Sequence, residues 1–178
     1  MASIYHGRGA SIGIGEESTY GTAVSRTNWR PLISSSLLRT IEKVPRPTLR
    51  TGAAGAMRRA HVISADNAGG NFSVECDYNS VGMILKHLMG TLATTGSDPY
   101  VHAYTFANTL PTGLTIENIR GTGTSEVFEG CKISTGTFAV SAGGVMTFDA
   151  AVIAETSAAR GSAGSPSFST DDAPVLHS

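Results

Sequence analysis

Between residues 71 and 79 apolar and polar side chains alternate without a break: Phe72, Val74, Cys76 and Tyr78 against Ser73, Glu75, Asp77 and Asn79. A β-strand sends successive side chains to opposite faces. The pattern therefore predicts a strand with one face in a core and the other in water or a polar interior. Composition extends this to the whole chain. Charged residues make up only 15% of it, and glycine alone contributes 21 positions. A chain rich in Gly, Ser and Thr and poor in charge suits short strands joined by turns, not a helical bundle. At 178 residues one domain can bury roughly 70% of its unfolded surface, so the core needs no disulfide or metal.

The remaining stretches follow the same logic. Gly7, Gly9, Gly13, Gly15 and Gly21 interrupt residues 1–25, where Ile4, Tyr5, Ile12, Ile14 and Tyr20 are scattered. That predicts an irregular N-terminal arm that docks on something. Trp29 to Ile41 predicts two short strands separated by a turn. Residues 42–70 carry Lys43, Arg46, Arg50, Arg58 and Arg59 against Glu42 and Asp66, with Pro45 and Pro47. They predict a long basic loop. Ser80 is a good N-cap, and Val81, Ile84, Leu85, Leu88, Met89 and Leu92 recur at helical spacing, so residues 80–92 predict one helix with Gly90 near its stop. Strands are expected at 102–107, 114–119, 127–134, 136–141 and 145–153, the last two joined by an Ala142-Gly143-Gly144 hairpin turn. The sum is a mainly β fold, a β-sandwich or barrel with one flanking α-helix. Its domain spans 26–155, between the arm at 1–25 and a linker or arm at 156–178.

Chemistry is hard to place on this frame. Net charge is -1, so no global field recruits nucleic acid. His6, His61, His87, His102 and His177 show no metal-ligand spacing, and no phosphate loop or nucleophile elbow occurs. Cys76 and Cys131 are expected as buried free thiols, a disulfide being the alternative. The pairs Glu16/Glu17, Glu75/Asp77 and Glu126/Glu129 fit hydrated faces better than an acid–base dyad. No cofactor is expected, and the chain does not look like an enzyme. No apolar run reaches membrane-span length.

The stretch Gly13-Ile-Gly-Glu-Glu-Ser-Thr-Tyr-Gly-Thr-Ala-Val24 resembles the opening signature of the tail tube proteins of long, non-contractile phage tails. The order that follows is similar too: a basic loop, then Gly-Asn-Phe-Ser-Val-Glu-Cys-Asp-Tyr at 70–78, a helix, and Glu129-Gly-Cys-Lys-Ile-Ser134 before a Gly-rich hairpin. The resemblance spans roughly residues 10–155. It implies a β-sandwich whose copies form hexameric or pseudo-hexameric rings, with strands of adjacent copies joined into one barrel around a lumen that is often acidic. Rings would stack through the long loop and the terminal arms.

On that basis Glu75 and Asp77 are expected to line the lumen, with Glu117 and Asp149 as further candidates. Arg46, Arg50, Arg58 and Arg59 are expected as inter-ring contacts. The implied partners are further copies of the chain, a tape measure protein and a tail terminator, with DNA only as transiting cargo and no membrane. The implied location is the virion tail, assembled in the host cytoplasm. A capsid decoration protein and the tube of a contractile injection machine are the alternatives. A carbohydrate-binding sandwich is disfavoured by the single Trp. Members with this opening often carry a second related domain, so both a single-domain form and the first half of a longer product fit the resemblance.

Overall fold

The computed structural model describes residues 9–45, 61–77, 81–121, 125–160 and 163–168. Among the described residues ten strands and one helix follow in order: β1 (Ala10–Glu16), β2 (Asn28–Ser35), β3 (Leu38–Pro45), β4 (His61–Glu75), α1 (Val81–Met89), β5 (Gly90–Thr95), β6 (Val101–Phe106), β7 (Leu114–Arg120), β8 (Ser125–Ala139), β9 (Thr147–Ala154) and β10 (Thr156–Arg160). The mainly β fold with one flanking helix is as the sequence predicts.

Two strands organise everything else. The first part of β2 pairs with β1, and its end pairs with β4. The first part of β8 pairs with β7 and β10, and its second part with β9. Register shifts fall between Leu32 and Ser34 in β2 and between Ile133 and Thr135 in β8. A bulge bends a strand and lets it change sheets, so these are the two corners. The result is a closed antiparallel circuit, β8–β7–β1–β2–β4–β9 and back to β8. Its first sheet is β10–β8–β7–β1–β2. Its second is β3 with the end of β2, then β4, β9 and the end of β8.

Between the sheets lie Ile12, Ile14, Phe72, Val74, Leu114, Ile116, Phe128, Phe148 and Val152, all buried. Each such side chain stabilises the fold by about 1.5–3 kcal/mol when fully covered. Helix α1 crosses the mouth between the end of β1 and the second part of β8. It inserts Ile84, with Val81, Met83 and Leu88 packed on the same core. It stops where Gly90 takes a φ of 110°, a left-handed conformation that L side chains resist.

Several boundaries differ from expectation. The stretch read as an arm supplies β1, a central strand. Gly13 does not break it, because the Trp29 ring occupies the space a side chain there would need; a Cβ on Gly13 would meet that ring at 2.7 Å. Of the stretch expected as a basic loop at 42–70, residues 42–45 belong to β3 and 61–70 to β4, while 46–60 lie outside the described residues. The two strands expected at 127–141 are one bulged strand, β8. Residues 90–95, expected as helix end and loop, form β5, which pairs only with β6 among the described residues. Residues 156–160, expected as linker, pair with β8 as β10.

The opening signature is a staple. Glu17 is buried, and its carboxylate accepts hydrogen bonds from Gly21 N (2.9 Å), the Thr115 hydroxyl (3.0 Å) and Gly130 N (2.9 Å). One side chain thus fixes the turn after β1 to β7 and β8. Its neighbour Glu16 is half outside, and accepts hydrogen bonds from Lys86 (2.8 Å) and His87 Nε2 (3.1 Å) of α1. Burial pushes His87 below its ordinary 6.5, although the Glu16 contact pulls the other way. Burial alone would raise Glu16, but Lys86 and His87 outweigh it and hold the carboxyl below its ordinary 4.5.

Two outcomes are expected. Glu17→Ala strands three donors and lowers the unfolding free energy by about 3 kcal/mol, whereas Glu16→Ala costs about 0–1 kcal/mol; equal losses in urea denaturation would refute the staple. The second concerns acid. With His87 depressed in the fold, the unfolded chain gains a proton that the native state resists, so stability drops as pH falls from about 6.5. His87→Gln should flatten that part of the profile. An unchanged slope would show that the ring is not responsible.

Candidate functional site: a polar sheet face between two open margins

Three strands, β4, β9 and the second part of β8, make the middle of the second sheet's outward face. Register places Asn71, Ala151 and Thr135 in one row, Ser73, Asp149 and Thr137 in the next, and Glu75, Thr147 and Ala139 in a third. The intervening positions Phe72, Val74, Phe148 and Ala150 point into the core. Alternation along β4 and β9 therefore turns small uncharged residues and two carboxylates outward, of which Ser73 is itself buried. None of these nine residues is Lys or Arg.

Of the four carboxylates expected together, Glu75 and Asp149 are exposed on this face, one row apart on adjacent strands. The other two are not on it. The chain leaves β4 after Glu75, and Asp77 turns inward, only 6% exposed, into an ion pair with Arg30. Arg30 also donates to the Glu75 carbonyl (3.3 Å) and to Asn28 Oδ1 (3.2 Å). Glu117 belongs to the first sheet and is 0% exposed. It is paired with Arg26 and accepts from the Ser125 hydroxyl (2.6 Å) and Gly164 N (2.8 Å). The expectation that Asp77 and Glu117 face a lumen is corrected on this geometry, because both carboxylates are consumed inside the subunit. Removing one partner of such a pair leaves an uncompensated buried charge, at a cost of about 3–5 kcal/mol. Arg46, Arg50, Arg58 and Arg59 lie outside the described residues.

The two sheets differ on their outer sides. The first is covered by the chain itself. Val24 N donates to the Thr115 hydroxyl (3.1 Å), and Gly164 lies against the Trp29 ring and Glu117. Among the described residues the second sheet has no such cover over Glu75, Asp149, Thr135 and Thr137, all exposed.

Its margins are also unequal. Arg39 bridges Asp66 (2.6 and 2.8 Å) and the Ser157 carbonyl (2.6 Å), tying β3 to β10. Arg120 caps the Leu37 carbonyl between β2 and β3. Apart from the end of β2, where side chains of β7 flank the edge, two stretches stay open. β3 pairs with β4 on one side, and residues 133–139 of β8 pair with β9 on one side; among the described residues no strand pairs with the other side of either. Exposed apolar residues lie along both, Leu38, Ile41 and Val44 on β3 and Phe138 with Val140 at the end of β8. Unpaired N–H and C=O groups in such a row invite another strand. Sequence reasoning missed these margins, along with Arg26 and Arg30. Arg30 is 47 positions from its partner, a separation that carries no local signal.

Among the described residues nothing resembles an acid–base or metal centre. A shallow cleft of about 520 Å³ beside Gly69 and Ile153 offers only Ser36, Thr40 and Asn67 as polar side chains. Among the described residues no three His, Cys, Asp or Glu side chains cluster as metal ligands. Cys76 and Cys131 are free and buried, and burial raises both thiols above their ordinary range.

No curated protein matches the chain. The family model described as phage tail tube protein matches residues 7–178, essentially the full length. With the signature residues stapling the barrel and a bare polar face between open margins, the chain belongs to the phage tail tube protein family, a structural component of the virion tail.

Proposed function

We propose that copies of this chain close side by side into rings, and that the rings stack into the hollow tube through which phage DNA passes. The observation that carries this reading is the second sheet, polar on its outer face and, among the described residues, uncovered there and open at both margins. An open margin is a liability in a free monomer and a binding surface in a ring. The sheet has four strands in cross-section, an even number. Neighbouring copies placed side by side therefore meet antiparallel, the arrangement already used throughout the subunit.

In such a ring the outer face of the second sheet becomes the lumen wall. Glu75 and Asp149 then repeat around the bore. A duplex carries closely spaced phosphates, and a wall of carboxylates and small hydroxyls offers them no counter-charge to hold. The duplex slides. A Lys-lined wall would bind it.

Stacking falls to the basic segment between β3 and β4. Arg46, Arg50, Arg58 and Arg59 are proposed to meet carboxylates of the adjacent ring. One exposed pair is worth only about 0–1 kcal/mol, but the contact repeats around every ring. The tape measure protein would fill the bore before DNA does, and a terminator would cap the last ring, both by the family's logic. Assembly is proposed to take place in the host cytoplasm, and the chain to act without catalysis.

Purified full-length protein should polymerise into hollow tubes visible by negative-stain electron microscopy. A chain that stays monomeric under every assembly condition would remove the proposal. Glu75→Lys with Asp149→Lys tests the bore itself. Both positions are exposed, so tubes should still form, while DNA release triggered in phage carrying the change should slow by roughly tenfold and recover at higher salt. Unaltered release would mean that this face does not meet DNA.

A further inference from the structure

The two open margins do not lie level with one another, and this fixes how copies can join. Residues are placed along the sheet by their pairing. Thr137 of β8 sits opposite Asp149, which sits opposite Ser73. The open part of β8 is thus level with the last third of β4. On the other margin Leu38 is opposite Gly69 and Pro45 opposite His61. The open part of β3 is level with the first half of β4. One margin begins near Gly69 and runs one way; the other begins there and runs the opposite way.

The end of β2, which is level with Thr137, is not available in the same manner. Ser34 pairs with Ser73, but the chain around it is already engaged. The Asn118 side-chain oxygen accepts from the Ser35 hydroxyl (3.0 Å), and Arg120 caps the Leu37 carbonyl, so side chains of β7 flank this end of β2.

We infer that β8 of one copy pairs with β3 of the next, displaced along the strands by about six or eight residues, roughly 20–27 Å. The inference rests on the tube reading and adds the joint, the register and the slant of the wall. The displacement is even because directly opposed residues share a face, and an odd shift would turn the apolar side of one copy toward the bore. Thr137 faces outward with Asp149. On the other margin Thr40 opposes Asn67 and Glu42 opposes Ala65, both on the outward alternation of Asn71 and Ser73. A shift of about six places Thr137 beside Thr40, and a shift of about eight places it beside Glu42. All three are exposed.

The displacement has a geometric result. Four strands span about 19 Å across the sheet. If every copy in a ring stands at the same height, a lateral step of that size combined with a lengthwise step of about 20–27 Å tilts the strands roughly 45–55° from the tube axis. That is at or just beyond the upper end of the ~35–45° usual in closed barrels. For a hexamer the barrel backbone would be roughly 50–65 Å across, whereas untilted strands would give only about 37 Å.

The test uses tubes assembled from the full chain. Three double variants are oxidised and run on a non-reducing denaturing gel: Thr40→Cys with Thr137→Cys, Glu42→Cys with Thr137→Cys, and Ser34→Cys with Thr137→Cys. Within one subunit these positions are separated by the intervening strands β4 and β9, so any ladder of multimers reports a joint between copies. One of the first two pairs should give a ladder at least tenfold stronger than the Ser34 pair. A ladder from the Ser34 pair alone overturns the displacement and leaves the tube intact. Cryo-electron microscopy of unmodified tubes is the second measurement, because it does not depend on how the variants fold. Strands slanted by about 45–55° are expected, and strands within about 20° of the axis would overturn the joint. If the unmodified chain forms no tubes, the tube reading itself fails and the joint falls with it.

Discussion

Every backbone N–H and C=O that is not in water needs a partner, and in this protein that requirement is met by making two strands serve two sheets. β2 and β8 each change sheets at a bulge. Because they do, the circuit closes and most strand edges disappear inside the subunit. The closure is incomplete in a defined way. Where the second sheet extends past the circuit, β3 and the end of β8 are left with one side unpaired among the described residues. The same hydrogen-bonding rule that finishes the core therefore leaves these two rows of the second sheet unfinished, and another copy can add there.

Charge is distributed to match. A buried carboxylate is tolerated only with strong partners, and Asp77, Glu117 and Glu17 each have them. Those three hold loops and strands together. Glu75 and Asp149 are exposed on the outer face of the second sheet. Two carboxylates separated by two residues, Glu75 and Asp77, thus differ completely in role. The difference comes from the end of β4, after which the backbone no longer alternates.

How much of this was legible in the sequence follows from the range over which each signal acts. Local periodicity gives β6, β7, β9, the turn at Gly143 and the helix, because each pattern is contained within a few residues. β1 was hidden by Gly13 and Gly15. Glycine looks like a break until the Trp29 ring, sixteen positions later in the chain, is seen to fill the gap. β5 was hidden because Leu92 continues the apolar spacing of α1 past the Gly90 stop. The candidate site was half legible. Alternation tells which side of a strand a residue takes but not what covers that side, so Glu75 and Asp149 do reach an exposed polar face while Asp77 and Glu117 do not. The work of Glu17 was invisible, since two of its three donors, Thr115 and Gly130, come from distant parts of the chain.

The contact of Gly164 with Trp29 and Glu117 has a consequence for anything attached beyond it. That contact lies on the outer side of the first sheet, across the sandwich from Glu75 and Asp149. In a wall built as proposed, the backbone at this point runs over the exterior of the cylinder. A tag, label or added module joined through this segment would decorate the outside like bark on a trunk, and the passage within would stay clear.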